Sequence, residues 1–405
     1  MTRFTRSTFA VPALLAALAF LLPAPLTAQP NRRGPDPAIE ARVAELLGRM
    51  TLEEKIGQMY LDGIDERLDW TMIDRGALGF LSNPDEVGQV IEAERRAQKS
   101  RLGIPLLYSR DLLHGYRTLF PMPLGIAATF DEEAMVKAAL HTAREGSSQG
   151  LTLNLGPMVD LSRDARWGRV VEGPGEDPFL GRRYAAATVQ GYAAGGMAAT
   201  LKHYVGYGAA ESGRDYNSVD LSESRLHDLY LPPFKAGIDA GAQVVMAAFN
   251  TLNGVPGTAN PHTLRDILRR DWGFDGVVMS DWNAVLELME HGVVESREDA
   301  VVKAVMSGID VDMASGFYPK HLGDLVRAGR VPMSRIDEAV GNVLRVKFRM
   351  GLFDPPEKRR TLDPAKAATA LATPLTREAA RDVARRSVVL LKNERERLPL
   401  TKPPK

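Results

Sequence analysis

The alternation of short apolar runs with longer amphipathic stretches is the feature that most constrains the fold of this chain. From Leu46 onward eight such runs recur, and most are separated by stretches with the charge pattern of surface helices. The runs are IGQMYLD, GALGFLSN, IPLLYSRD, LTLNLGP, MAATLKHY, QVVMAAFN, GVVMSDW and GIDVDM. Strands that alternate with helices indicate an α/β protein with a parallel sheet, and a count of eight favours a closed (β/α)8 TIM-type barrel over an open sheet.

Polar side chains stand at or near the ends of most of these runs. One of them alone would be an ordinary strand-end residue. In a barrel, however, the carboxyl ends of all strands meet on one face, where active sites are found. We therefore predict an active site built from these residues, which are Asp62, Asn83, Asp111, Lys202, His203, Asn250, Asp281 and Asp312.

Composition excludes several classes of function. Lys+Arg and Asp+Glu both number 51 among 405 residues, so no basic field favours nucleic acid as a partner. The chain has no cysteine, which excludes disulfides and thiolate catalysis. The zinc-protease, serine-hydrolase and phosphate-loop patterns are absent as well, so we expect neither a metal nor another cofactor.

The first residues have the pattern of an export signal. Two arginines precede an apolar stretch from about residue 10 to residue 22, and small residues follow up to Ala28. We expect a signal peptide over residues 1–28 and a disordered lead-in over 29–36, which predicts a periplasmic or secreted protein free of the membrane after cleavage. The alternative is a membrane anchor, but the run is shorter than the roughly 20 residues that a span needs.

Several motifs occur in a fixed order along the chain. They are KIGQM, RDLLHG, RDARWGR, GEDPFL, KHYVGYGAAESGRDYN, GVPGTAN and GFDGVVMSDW. In this order they resemble glycoside hydrolase family 3, particularly its periplasmic β-glucosidase type. The resemblance implies a barrel domain over residues 37–360 that removes β-linked sugars from non-reducing ends. The expected partner is a β-linked oligosaccharide or a β-glucoside.

By this resemblance Asp281 of the SDW motif is the catalytic nucleophile. A retaining glycosidase needs one ionised carboxylate against the anomeric carbon, and a rigid strand end holds such a group well. Trp282 would pack against the sugar or fill the top of the barrel. Met246 matches a family position that lines the pocket, and Phe249 stands where many members carry tyrosine.

Other matched positions suit the recognition of sugar hydroxyls. The resemblance assigns Asp111 to two hydroxyls of the terminal sugar, and a carboxylate can accept both hydrogen bonds. It assigns Arg169, Lys202 and His203 as donors to the same ring. Adjacent strand residues normally face opposite sides, so Lys202 and His203 can both reach the sugar only at an irregular strand end.

The second catalytic acid is missing from these motifs. In the family it is usually a glutamate of a second α/β domain, and residues 361–405 resemble a linker and the start of such a domain. We therefore expect the acid/base beyond residue 405; a second polypeptide is the alternative. Residues 388–391 would form a lone strand, and a lone strand must dock or stay mobile.

Alternative functions remain open at this stage. One is a sugar-binding barrel without turnover, because the chain would lack an acid/base. Two others are a β-xylosidase or a β-N-acetylhexosaminidase of the same family. The last of these uses a histidine on the loop after the KH pair, where this chain has Tyr207.

Overall fold

A computed structural model describes residues 36–66, 68–355 and 361–400. Its strands overlap all eight of the predicted runs, and one short hairpin (β7 and β8) is added between them. The strands are β1 (Tyr60–Gly63), β2 (Phe80–Ser82), β3 (Leu107–Arg110), β4 (Leu153–Asn154), β5 (Ala198–Tyr204), β6 (Val244–Ala247), β7 (Thr251–Leu252), β8 (Val255–Pro256), β9 (Val277–Met279) and β10 (Asp312–Met313).

Apart from β7 and β8, the strands form one parallel sheet of eight that closes on itself. Its order is β10-β1-β2-β3-β4-β5-β6-β9. The two ends meet at a parallel bridge between Met279 and Val311. Backbone hydrogen bonds support this seam, among them those from Ser280 N–H to Val311 O at 2.9 Å and from Asp310 N–H to Val278 O at 2.8 Å. The predicted (β/α)8 barrel is therefore confirmed.

Helices fill most of the connections between the barrel strands. They are α1 (Pro37–Arg49), α2 (Leu52–Gln58), α3 (Thr71–Asp74), α4 (Val87–Lys99), α5 (Pro123–Ala127), α6 (Glu132–Ser148), α7 (Pro178–Ala194), α8 (Glu223–Arg225), α9 (Leu231–Asp239), α10 (Glu287–Glu290), α11 (Arg297–Ser307), α12 (Phe317–Arg327), α13 (Met333–Arg349), α14 (Pro364–Thr369) and α15 (Pro374–Arg386). Two π-helical segments are also present, Leu226–Tyr230 and His262–Asp271, together with 3-10 turns at Val170–Glu172, Tyr207–Ala209, Glu211–Gly213, Gly257–Ala259 and Glu394–Glu396.

Apolar side chains form two layers, one inside the barrel and one between strands and helices. Successive residues of a strand point to opposite faces. Val277 and Met279 accordingly join the cluster inside the barrel, whereas Val278 joins the larger cluster outside it. Val343 and Val346 of α13 belong to the inner cluster as well, so this helix packs against the barrel interior.

A buried carboxylate joins the seam of the barrel to two helices. Asp310 is fully buried and accepts hydrogen bonds from Arg269 at 2.5 Å and from Arg335 at 2.8 Å. It also accepts one from the Val278 backbone N–H at 2.9 Å. Because burying a charge is costly unless it is paired, these contacts are needed for the carboxylate to remain here.

The end of the described chain agrees only in part with the predicted start of a second domain. Helix α15 forms and packs on the barrel through Ala379, Ala380 and Val383, which share a buried cluster with residues of α6. The predicted strand over 388–391 does not form, and its side chains are between 57% and 91% exposed. A strand needs a neighbour to hydrogen-bond with, and the described residues offer none here.

The predicted signal peptide, residues 1–28, lies outside the described residues. So does most of the predicted lead-in over 29–36, except that Asp36 caps α1 by accepting a hydrogen bond from Ala38 N–H at 2.9 Å. Of the helices in the described part of the chain, none is long and apolar enough to cross a membrane.

We predict that Asp310→Ala destabilises the barrel strongly. The substitution leaves Arg269 and Arg335 buried without their partner, and breaking such a buried pair typically costs about 3–5 kcal/mol. The measurement is chemical denaturation followed by circular dichroism.

Asp239→Ala is the matched control, because Asp239 pairs with Lys235 on an exposed face of α9. Its loss should cost less than about 1 kcal/mol. Equal losses for the two variants would show that Asp310 does not hold the seam.

Candidate active site

Asp281 lies two residues beyond the end of β9, at the carboxyl end of the barrel. The residue is only 7% exposed. Its Oδ1 accepts a hydrogen bond from the Trp282 backbone N–H at 2.6 Å. Its Oδ2 is buried and has no hydrogen-bond partner within the part of the chain that the structure describes. One oxygen is thus fixed, and the other is available to a ligand.

Burial decides the ionisation of Asp281. It raises the pKa of this carboxyl to about 7, and the positive charge of Lys202 and the Trp282 N–H only partly oppose it. A carboxylate must be ionised to attack carbon. The cation at Lys202 is therefore the nearby group that most favours the reactive form.

The end of β5 is irregular, as the sequence predicted. The pairing of β5 with β6 shifts register between Leu201 and Tyr204, and the peptide bond between Lys202 and His203 is cis. Both side chains reach the mouth of the barrel. Lys202 forms an ion pair with Asp111, and His203 Nε2 lies 3.5 Å from Asp281 Oδ2. The structure thus brings Asp111, Lys202, His203 and Asp281 together.

Arg169 lies at the same site, where an ion pair with Glu172 holds it in position. Glu172 accepts two hydrogen bonds from the Arg169 guanidinium, each of 2.9 Å. The guanidinium also lies 5.7 Å from the centre of the Tyr207 ring, which makes an edge-to-face contact with His203 at a centroid distance of 5.3 Å. This bidentate pair orients Arg169 before any ligand binds.

Aromatic side chains line one side of the mouth. The Phe249 ring lies 6.0 Å from Tyr207 and 4.5 Å from Tyr216, which is 50% exposed. Trp282 is 39% exposed and lies next to Gly63 at the end of β1. Flat apolar faces of this kind suit the C–H faces of a ligand that also carries polar groups.

Met246 occupies a deeper position than the other predicted site residues. It is 2% exposed and belongs to the cluster inside the barrel. It pairs in register with Met279, two residues before Asp281. Its place is therefore in the apolar interior close to the strand ends, where it would form the base of a pocket.

Sequence reasoning missed Asp160, a buried carboxylate in the loop after β4. Its Oδ2 accepts a hydrogen bond from the His203 backbone N–H at 2.9 Å and lies 2.8 Å from His203 Nδ1, within hydrogen-bond distance. Burial raises the pKa of Asp160 to about 7. A signal existed, because the apolar run LNLGPMV ends on this residue just before the RDARWGR motif.

Cavity size alone does not identify this site. A cavity of about 510 Å³ lies at the opposite, amino-terminal end of the barrel, where Leu106, Thr152 and Leu352 contribute to its wall. Its wall includes Glu94, Arg95 and Asp354 but none of the predicted site residues. Among the described residues, no group of three or more His, Asp or Glu could hold a metal ion.

Comparison with known proteins agrees with the motifs. The family described as "Glycosyl hydrolase family 3 N terminal domain" matches residues 51–346. The "Periplasmic beta-glucosidase" of Salmonella typhimurium is 41% identical over 380 residues, which are 90% of this chain and 49% of that protein. The "Beta-xylosidase" of Formosa agariphila is 33% identical over 415 residues, which are 96% of this chain and 52% of that protein.

A solved structure supports the same relationship. The β-glucosidase from Listeria innocua in complex with glucose superposes with a TM-score of 0.83 at 35% identity, covering 89% of this chain and 53% of that chain. This chain thus spans about half the length of the curated relatives and solved structures that it matches.

The raised pKa of Asp281 predicts a pH-dependent effect of Asp281→Asn on stability. An unfolded aspartate titrates near about 3.9, whereas folding raises the pKa of Asp281 to about 7. Between these values the folded state binds more protons, so the charge of Asp281 increasingly destabilises it as pH rises. The uncharged variant should therefore gain stability over the native protein from about pH 4 to about pH 8, on the order of 1.4 kcal/mol per pKa unit.

Thermal denaturation of both proteins at about pH 4 and at about pH 8 measures this gain in stability. Asp239→Asn, on the exposed face of α9, should show no comparable trend. A difference between native protein and Asp281→Asn that does not change with pH would contradict the raised pKa.

Proposed function

Because the chain belongs to glycosyl hydrolase family 3, we propose that it is the nucleophile-bearing part of a retaining exo-β-glucosidase. The observation that carries the proposal is Asp281 itself. Its Oδ2 is buried and without a hydrogen-bond partner in the described chain, it lies 3.5 Å from Nε2 of His203, and the charge of Lys202 favours its ionised form. A nucleophilic carboxylate needs one oxygen free, a rigid support and a charge that favours ionisation.

In the proposed reaction Asp281 Oδ2 attacks the anomeric carbon of the terminal sugar. The bond from that carbon to the leaving oxygen breaks, and a general acid protonates the leaving oxygen. Water then attacks the glycosyl-enzyme, and the same group accepts a proton from it. We assign this acid/base to a glutamate beyond residue 405, in keeping with relatives about twice as long as this chain.

Asp111, Arg169, Lys202 and His203 are the proposed contacts to the hydroxyls of the terminal sugar. Asp111 is half exposed and pairs with Lys202, so both charges face the mouth of the barrel. Trp282 would offer its exposed ring to the sugar. A carboxylate beside an ammonium group suits two neighbouring hydroxyls, because the carboxylate accepts hydrogen bonds from them and the ammonium group donates hydrogen bonds to them.

A β-glucoside or a β-linked oligosaccharide is the proposed substrate. Two relatives support a glucoside: the Salmonella protein is named a β-glucosidase at 41% identity, and the Listeria structure contains glucose. The Formosa relative, at 33% identity, keeps β-xylosidase as the second candidate.

We also propose that the protein acts in the periplasm or outside the cell. The arginine-led apolar leader supports this location, and so does the name of the Salmonella relative.

We predict that Asp111→Ala weakens the binding of glucose. The variant loses one or two hydrogen bonds to a charged group, each worth about 1.5–3 kcal/mol. Isothermal calorimetry on folded protein should thus show affinity at least about tenfold lower. Asp239→Ala is the control and should bind normally. Equal affinity for Asp111→Ala and the native protein would remove Asp111 from the site.

We further predict that a β-glucoside of dinitrophenol labels this chain covalently at Asp281. Protonation of an ordinary leaving group is worth about 10²–10⁴-fold in rate, but dinitrophenolate leaves without it. The glycosyl-enzyme should persist, because no general base would activate water. Intact-mass spectrometry at about pH 8 should show the addition of one sugar, mapped to the peptide that contains VMSDW.

The controls separate Asp281 from its neighbours. Asp281→Asn should not be labelled, because a neutral amide is a poor nucleophile of similar shape. Glu287→Gln should be labelled normally, since Glu287 lies on α10 beyond the site. A label on Glu287 would overturn the assignment, and a protein that binds glucose but takes no label would favour the sugar-binding barrel.

A further inference from the structure

Asp160, His203 and Asp281 form a continuous buried row across the mouth of the barrel. The ring of His203 lies between the two carboxylates, with Nδ1 at 2.8 Å from Asp160 Oδ2 and Nε2 at 3.5 Å from Asp281 Oδ2. Asp160 and His203 are 2% and 1% exposed. Asp160 can therefore influence Asp281 through the orientation and protonation of the His203 ring, without intervening solvent.

The hydrogen bonds of Asp160 define which ring nitrogen carries the proton. The backbone N–H of His203 donates to Asp160 Oδ2 at 2.9 Å, and the ring nitrogen Nδ1 lies 2.8 Å from the same oxygen. One oxygen accepts both bonds when Nδ1 is protonated. Burial, together with the charges of Arg169 and Lys202, holds the pKa of His203 well below its usual range, so the ring is neutral and has a single N–H. Nε2 then carries a lone pair.

We propose that Asp160 is a positioning residue that fixes His203 with Nδ1 protonated and with Nε2 facing the sugar pocket as a hydrogen-bond acceptor, not as the donor that the resemblance implied. The inference rests on the proposed function, in which Asp281 is the nucleophile. At 3.5 Å, Nε2 and Asp281 Oδ2 are too far apart for an ordinary hydrogen bond. A sugar hydroxyl that enters between them can donate to either atom.

The surroundings of Asp160 fit this role better than a role in packing. Within the described residues its Oδ1 is buried without a partner, and the hydrogen bonds of its side chain go only to His203. The charges that act on Asp160 belong to Arg169, Lys202 and Glu172. Burying a carboxylate costs free energy unless hydrogen bonds compensate for it. The side-chain hydrogen bonds that compensate here are made with His203.

The rate of covalent labelling by the dinitrophenyl β-glucoside tests the proposal. Asp160→Ala removes the acceptor and frees the ring, and misplacement of a group by about 1 Å can cost about 10²-fold in rate. Asp160→Asn keeps one side-chain oxygen, and the backbone N–H of His203 would orient that oxygen towards His203. This variant should therefore be labelled at a rate within a few-fold of the native rate. Asp164→Ala, a partly exposed site on the same loop that pairs with Arg166, is the control and should label normally.

Nitrogen-15 NMR of the histidine rings supplies a readout that packing alone would not move. Native protein and Asp160→Asn should show Nδ1 protonated and Nε2 bare at His203, with the signals assigned by their loss in His203→Gln. Asp160→Ala should show the other tautomer or a mixture. If Asp160→Ala fails to fold, Asp160→Ser takes its place, because its shorter side chain cannot reach both N–H groups.

Three results would overturn the inference: normal labelling by Asp160→Ala, an unchanged tautomer in that variant, or Asp160→Asn as slow as Asp160→Ala. The NMR arm does not depend on chemistry at the sugar. Absence of label on the native protein therefore counts against the proposed function, whereas a tautomer that follows residue 160 still supports the role of Asp160.

Discussion

Closure of the ring of eight parallel strands is the constraint on which the rest of this structure depends. Every strand then has two neighbours, and all carboxyl ends point to one face. The seam between β9 and β10 is held by a bridge at Met279 and Val311 and a few backbone hydrogen bonds. Asp310 reinforces that seam from the amino-terminal side, and Asp281 follows the same strand, β9, on the other side.

Burial at the mouth gives the site its electrostatic character. The pKa values of Asp160 and Asp281 both rise to about 7, and that of His203 falls. Each group is thus pushed towards its neutral form, and the cations of Lys202 and Arg169 oppose this effect for the carboxylates. A site of this kind binds a neutral, hydroxyl-rich ligand at less cost than an anion, because few charges need to be neutralised.

The sequence predicted the barrel and most of the site because both follow from local patterns. Apolar runs show where strands lie, and polar residues at their ends show which face is functional; Asp111, Lys202 and Asp281 were all found in this way. Asp160 was missed because its role depends on a contact with a residue 43 positions away. Residues 388–391 have the right composition for a strand, but a strand also needs a partner, which composition does not encode.

Trp282 gives the protein an intrinsic fluorescent reporter. Trp167 is fully buried, and Trp70 and Trp272 pack against the outer cluster, whereas Trp282 is 39% exposed. The backbone N–H of Trp282 donates to Asp281, the residue before it, and the indole lies next to Gly63 at the end of β1. A ligand that enters the pocket displaces water from this indole before any bond is broken. The change in emission would then record occupancy separately from chemistry, in real time and without a label.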